Sequence, residues 1–268
     1  MGNRDRPLII DCNAMVGEGV SWDQPGRWVD SKVELLLERA AEAGIDRTCV
    51  MTFPQDSYGR ANAEVARLCE KYPDKLIGFA VHSPQRETGH LKGLLAEEVR
   101  SQGLKGLKSD GHPTRELLDV VAELDIPVIY YPVPNPCSEL PRMYHLMATT
   151  YRSVNFILPH LGSYRGAHWW AHLEAIDLAK RHRNIHLEAS GVDGHQYLEM
   201  AARELPAEQI VFGSYWPEGD PRVELYAFRL LTQDMGTSWP YTPEHVRVTE
   251  EHEAKMLGGN MQRLLRMS

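Results

Sequence analysis

The chain has 268 residues, 43% of them hydrophobic and 25% charged, with a formal charge of −8 at neutral pH, the make-up of a globular protein with ample core material. An acidic chain lacks the basic face that nucleic-acid binding needs, and no long uncharged apolar stretch offers a membrane span, so partners of both kinds are excluded. Cys12, Cys49, Cys69 and Cys137 fit no zinc spacing and no dense disulfide framework, and residues 1–6 lack a signal-peptide core, which makes the cytoplasm the expected compartment.

Short β-rich runs alternate with amphipathic helical patterns from end to end. The strands are expected at Leu8–Cys12, Arg47–Thr52, Leu76–Val81, Gly103–Lys108, Pro127–Tyr131, Val154–Leu158, Ile185–Glu188 and Gln209–Phe212. Helical patterns fall at Ser31–Ala43, Ala61–Lys71, Leu91–Ser101, Arg115–Leu124, Tyr164–His182 and Tyr197–Leu205. Strands followed by crossover helices over this length predict an α/β protein, a closed (β/α)8 TIM barrel in one domain spanning residues 1–268. A doubly wound open sheet is the competing architecture. It would want a Gly-rich phosphate turn after the first strand, where only Gly17-Glu18-Gly19 is found. No linker divides the chain; residues 236–243 look like an insert, and Asn260, after Gly258-Gly259, is expected to cap the last helix.

Three apolar runs end in polar residues where a parallel strand would open into a pocket: Asp11-Cys12-Asn13-Ala14-Met15, Pro159-His160-Leu161-Gly162 and Gly213-Ser214-Tyr215-Trp216-Pro217. Spacing and wording resemble the amidohydrolase superfamily, specifically its second large family, to which the carboxymuconate-semialdehyde decarboxylases belong. Members of that family read Asp-x-His-x-His, His-x-Gly and Gly-Ser-Asp-x-Pro at these places. The resemblance extends from Leu8 to Leu265 and implies that Asn13, Met15, Tyr131 and Tyr215 stand where the family keeps metal ligands. Tyr131 enters by matching Ile126-Pro127-Val128-Ile129-Tyr130-Tyr131 to the family's Leu-Pro-Val-x-x-His strand. Neutral amide, thioether and protonated phenol are poor partners for a divalent cation, so no metal and no cofactor is expected. A zinc site rebuilt from Cys12, His82 and His160 is the exception considered, but strand alternation should turn Cys12 away from Asn13.

In such a barrel, function sits at the C-terminal strand ends. His160 is expected as general base, because the resemblance places a histidine there and imidazole titrates near neutrality. Glu188 could act as a base or anchor His160 or Lys108, and Lys108 could hold a substrate carboxylate or an oxyanion; these three are the expected catalytic set. Asn13, His82, Tyr131, Ser190, Tyr215 and Trp216 are expected to contact a small-molecule substrate, while His172 and its neighbouring tryptophans read as helix packing or an oligomer contact. Trp22, Trp28, Tyr58, Trp216 and Trp239 would make a rim suited to a cyclic ligand.

The function expected is therefore a small-molecule hydrolase of C–O or C–N bonds, lactonase-like, working without the family's usual divalent metal. Two alternatives stand beside it: a non-catalytic ligand-binding relative, and a metal-dependent hydrolase or decarboxylase with rearranged ligands.

Overall fold

The computed structural model describes residues 6–22, 24, 26–130, 140–163, 169–192, 194–232 and 248–267. Its strands are β1 (Ile10–Met15), β2 (Gly17–Val20), β3 (Trp28–Ser31), β4 (Arg47–Met51), β5 (Leu76–His82), β6 (Gly106–Ser109), β7 (Val128–Tyr130), β8 (Phe156–Leu158), β9 (Ile185–Glu188) and β10 (Ile210–Val211). Eight of them form one parallel sheet in the order β1-β4-β5-β6-β7-β8-β9-β10. The sheet closes on itself: the Cys12 amide donates to the Phe212 carbonyl at 3.0 Å and the Met15 amide to the Trp216 carbonyl at 2.8 Å. The chain is a single-domain (β/α)8 barrel.

Alternation along the strands divides the core in two. Cys12, Met15, Cys49, Met51, Phe79, Val81, Ile129, Ile157, Val211 and Tyr215 fill the barrel interior. Ala14, Val50, Ala80, Leu107, Val128, Phe156, Leu158, Leu187 and Ile210 face the surrounding helices. Such near-continuous burial is why these strands read as apolar runs rather than as alternating ones. The helices begin and end on local chemistry: Thr114 caps the amide of Leu117 ahead of Arg115–Leu124, and Gly44, at φ 79°, ends Val33–Ala43 in the left-handed conformation that glycine tolerates. Met261 and Leu264 join the interior cluster beside Ile10, so the C-terminal helix seals the N-terminal end of the barrel. A Cβ on Gly258 would lie 1.9 Å from the Leu8 carbonyl oxygen, so only glycine lets that segment approach β1.

Several expectations change. Asn260 is not a cap: it continues a helical run, and its side-chain amide donates to the carbonyls of Ala207 and Ile210, both at 2.7 Å, lashing the last helix to the start of β10. The hairpin β2–β3, and helices Leu140–Thr150 and Pro221–Arg229, were not anticipated. The hairpin strands are only four residues each and carry Gly17, Glu18, Gly19 and Asp30, too short and polar for a periodic signal. Among the described residues no helix is long and apolar enough to cross a membrane.

Candidate functional site at the barrel mouth

The site begins with an irregularity in β1. Pairing with β4 shifts register between Asp11 and Ala14, the signature of a β-bulge, which re-aims side chains. Cys12 therefore packs inside the barrel, yet Asn13 also turns to the mouth; the strict alternation expected of them fails here. Asp11 is buried and accepts from the Ser214 amide (2.8 Å), the Ser214 hydroxyl (2.6 Å) and the Asn13 amide (3.1 Å), tying β1 to the loop after β10. Burial raises its carboxyl above the ordinary range against those hydrogen bonds.

From Asn13 a continuous polar chain runs around the mouth. Lys108 Nζ donates to Asn13 Oδ1 at 3.3 Å and lies 3.8 Å from Met15 Sδ. Asn13 Nδ2 donates to Glu188 Oε2 at 3.4 Å. Glu188 also accepts from the Ser190 amide (2.8 Å), the Ser190 hydroxyl (2.9 Å) and the His160 amide (3.1 Å). The Ser190 carbonyl oxygen in turn lies 2.8 Å from His160 Nδ1. All five residues are buried. Burial holds the Glu188 carboxyl up, to about 7, although the donors around it pull the other way. The carboxyl needs a bare backbone opposite it: a Cβ on Gly213 would lie 2.1 Å from Glu188 Oε1.

His160 (φ 55°), Leu161 (φ 49°) and Tyr215 (φ 55°) adopt left-handed backbone conformations without being glycine, each at a cost of roughly 1–3 kcal/mol. In this turn the His160 amide reaches Glu188, while the imidazole meets the Tyr215 ring edge-on, centroids 4.3 Å apart. Lys108 Nζ lies 5.5 Å from that same ring and 4.6 Å from the indole of Trp22, carried by the hairpin connection. With Nδ1 against a carbonyl, the neutral imidazole carries its proton there and presents Nε2 as the basic nitrogen. A base and a fixed cation thus flank one phenol ring.

Not every expected contact is at this mouth. His82 turns away: Nδ1 meets Glu87 at 2.9 Å and Nε2 meets Glu98 at 2.6 Å, so both nitrogens are engaged. Burial opposes its charge, but the two carboxylates outweigh it and push the imidazolium up to about 9. Trp216 packs in the outer layer and its indole N–H donates to Ser31 Oγ at 2.8 Å, so it does not line the mouth. The Ser190 hydroxyl serves Glu188 rather than standing as a separate contact. Tyr131 and Trp239 lie outside the described residues. His172 is buried against the Tyr197 ring, centroids 4.7 Å apart, as a packing residue. Arg86 was missed. From the loop after β5 it donates to Asp110 (2.7 Å) and the Tyr58 hydroxyl (3.2 Å), and Tyr58 donates to the same carboxylate. Its only signal is its place two residues past Pro84, after a strand end.

The family model described as Amidohydrolase matches residues 30–267. No curated protein matches the chain significantly in sequence. Among solved structures, 5-carboxyvanillate decarboxylase from Sphingomonas paucimobilis is 14% identical, with a TM-score of 0.72 over 98% of this chain and 100% of that one. A dihydroxybenzoic acid decarboxylase from a Polaromonas species, with bound manganese and the inhibitor 2-nitroresorcinol, is 17% identical, with a TM-score of 0.68 over 98% of each chain. A probable 2-pyrone-4,6-dicarboxylic acid hydrolase from Acinetobacter baumannii is 15% identical, with a TM-score of 0.66 over 97% of this chain and 99% of that one. At these identities the likeness is one of fold.

Bound manganese in such structures overturns the expectation that this chain needs no metal and no cofactor, and points to a divalent metal in the family. The donors described in this chain do not fit one. Among the described residues no group of three or more His, Cys, Asp or Glu is placed to hold a metal ion. The ammonium of Lys108 stands between Asn13 and Met15, two of the positions matched to ligands, where a second cation would meet its repulsion. The alternative set does not gather either, because Cys12 lies in the interior core and His82 is held by Glu87 and Glu98.

Proposed function

The chain belongs to the amidohydrolase family, and on that premise we propose that it hydrolyses an activated, ring-closed ester in a small cyclic carboxylate. The observation that carries this reading is the placement of His160 and Lys108 around the ring of Tyr215, 4.3 Å and 5.5 Å from it. A water set against His160 Nε2 gives up a proton to the imidazole as its oxygen attacks the ester carbon. Lys108 offers its positive charge to the carbonyl oxygen as negative charge develops there. When the ring C–O bond breaks, the imidazolium returns its proton to the leaving oxygen, and the product is a ring-opened acid. Tyr215 and Trp22 supply flat faces for the substrate ring.

Decarboxylation of the same class of substrate is the second reading. It is favoured by the decarboxylases among the solved relatives and by Glu188, whose buried carboxyl keeps its proton up to about pH 7 and is joined to His160 through Ser190. That proton could pass to the ring carbon as carbon dioxide leaves.

A panel of carboxylated pyrones, other lactones and hydroxybenzoates, followed for both acid release and carbon dioxide release, separates the two. Acid release without carbon dioxide supports the ester reading, and carbon dioxide release supports the second. Turnover confined to uncharged amides would overturn both.

A further inference from the structure

The opposite end of the barrel holds a second concave site. Asn155 and Asn184 stand immediately before β8 and β9, at the N-terminal ends of those strands, and line a pocket of about 440 Å³ together with Arg152, Arg181, His182 and Arg183. On a chain of net charge −8, three guanidinium groups and an imidazole meeting in one hollow is a local reversal of sign. Arg181 is neutralised by Asp177. Arg152 and Arg183 make no ion pair among the described residues, and the charge tells on its neighbour: burial, then His145, Arg181 and Arg152, push the His182 imidazole below its ordinary range. His145 Nδ1 lies 2.8 Å from His182 Nε2, so a second imidazole borders the arginines.

The two turns that carry these cations are pinned. Asn184 Nδ2 donates to the carbonyls of Ala148 (3.3 Å), Tyr151 (3.1 Å) and Val154 (3.0 Å), holding the Arg152 turn against its own. Gln209 Nε2 donates to those of Ala179 (2.7 Å), His182 (2.8 Å) and Ile185 (2.9 Å), holding the Arg181–Arg183 turn. The cations are therefore presented from a fixed floor, with little main-chain ordering left for a ligand to impose.

We propose that this hollow binds a phosphate group, free or carried on a small organic body, between Arg152 and Arg183. A guanidinium offers paired N–H donors in a planar fork that matches the oxygens of phosphate, and the charge-assisted hydrogen bonds so formed are the strong ones. No carboxylate lines the hollow among the described residues, and Asn155 Oδ1 is turned to His186 Nε2 at 3.2 Å. The site lies on the far end of the barrel from the mouth and is separate from the chemistry there.

Calorimetric titration at constant ionic strength, with inorganic phosphate and with adenosine monophosphate, tests this. Saturable one-to-one binding is expected, weakened roughly tenfold or more in the double variant Arg152→Ala/Arg183→Ala and abolished by Arg183→Glu. Lys108→Met should bind phosphate as the parent does. Both arginines are exposed, and circular dichroism serves to check that the variants fold. Tighter binding of the monophosphate supports a carried group; equal binding supports the free anion. Absence of saturable binding at millimolar phosphate, binding that survives in the double variant, or binding lost in Lys108→Met overturns the proposal.

Discussion

The ammonium nitrogen of Lys108 lies 3.3 Å from the side-chain oxygen of Asn13, and both residues are wholly buried at the barrel mouth. Asn13 reaches Glu188 with its other end, so a strand-end amide links a fixed cation to a buried acid. The linkage sets Lys108 at a constant place relative to His160, and a fixed positive charge at the mouth is what a developing oxyanion needs.

Lys108→Met keeps an unbranched side chain only one heavy atom shorter and removes the charge. Desolvation of a buried ion costs several kcal/mol, so the variant should unfold at a denaturant concentration no lower than the parent. Turnover of the ester should fall about 10- to 100-fold, the value of a lost charge-assisted hydrogen bond to the developing oxyanion, with a smaller change in KM. Unchanged turnover would remove Lys108 as the oxyanion's partner.

His160→Gln retains a polar group that can still reach the Ser190 carbonyl and should leave the fold intact. Turnover should fall by about 10²-fold or more, the usual size of a general-base contribution. A folded variant keeping over half of normal turnover would pass the role to Glu188.

Glu188 makes stability depend on pH with a definite sign. Its carboxyl is raised from 4.5 to about 7 in the folded chain. Between those values the folded state still holds a proton that the unfolded state has shed, so raising the pH favours unfolding. Denaturant midpoints should therefore decline from about pH 4.5 to 7, and the decline should be shallower in Glu188→Gln. Asp11, raised in the same direction, leaves a residual slope.

His82 acts in the next window. Its folded value of about 9 exceeds the ordinary 6.5, so the stability it contributes is complete below 6.5 and is lost as the pH rises through 9. His82→Gln should remove that alkaline slope without changing KM, because both its nitrogens face Glu87 and Glu98 rather than the mouth. A KM change of tenfold or more would place His82 back among the substrate contacts.

Gly213→Ala tests the packing beneath Glu188. The added methyl carbon would sit 2.1 Å from a carboxyl oxygen that is fully buried and has nowhere to retreat. Stability should drop by about 1–3 kcal/mol, with turnover falling as Glu188 is displaced from the His160 amide. A variant of parental stability would show that the carboxyl can move.

The barrel was legible in the sequence because burial on both faces leaves most of the parallel strands short, mainly apolar runs, and such runs need no partner to be recognised. Ile185–Glu188 and Arg115–Leu124 have the observed limits residue for residue. The motif ends brought His160, Glu188, Lys108, Asn13 and Tyr215 to one mouth for the same reason: in a closed barrel, strand ends converge. Side-chain direction was a different matter. A bulge between Asp11 and Ala14 turned both Cys12 and Asn13 inward, and two carboxylates, one from the helix Leu91–Arg100 and one from the loop before it, drew His82 out of the pocket. Trp216 went to Ser31 on a hairpin that left no periodic trace. The sequence by itself determined the eight barrel strands, their order of use and the end of the barrel that opens. Only the tertiary structure decided which strand-end residues face one another, because that depends on a one-residue register shift and on side-chain partners from 5 to 185 residues away along the chain, neither of which local patterning can carry.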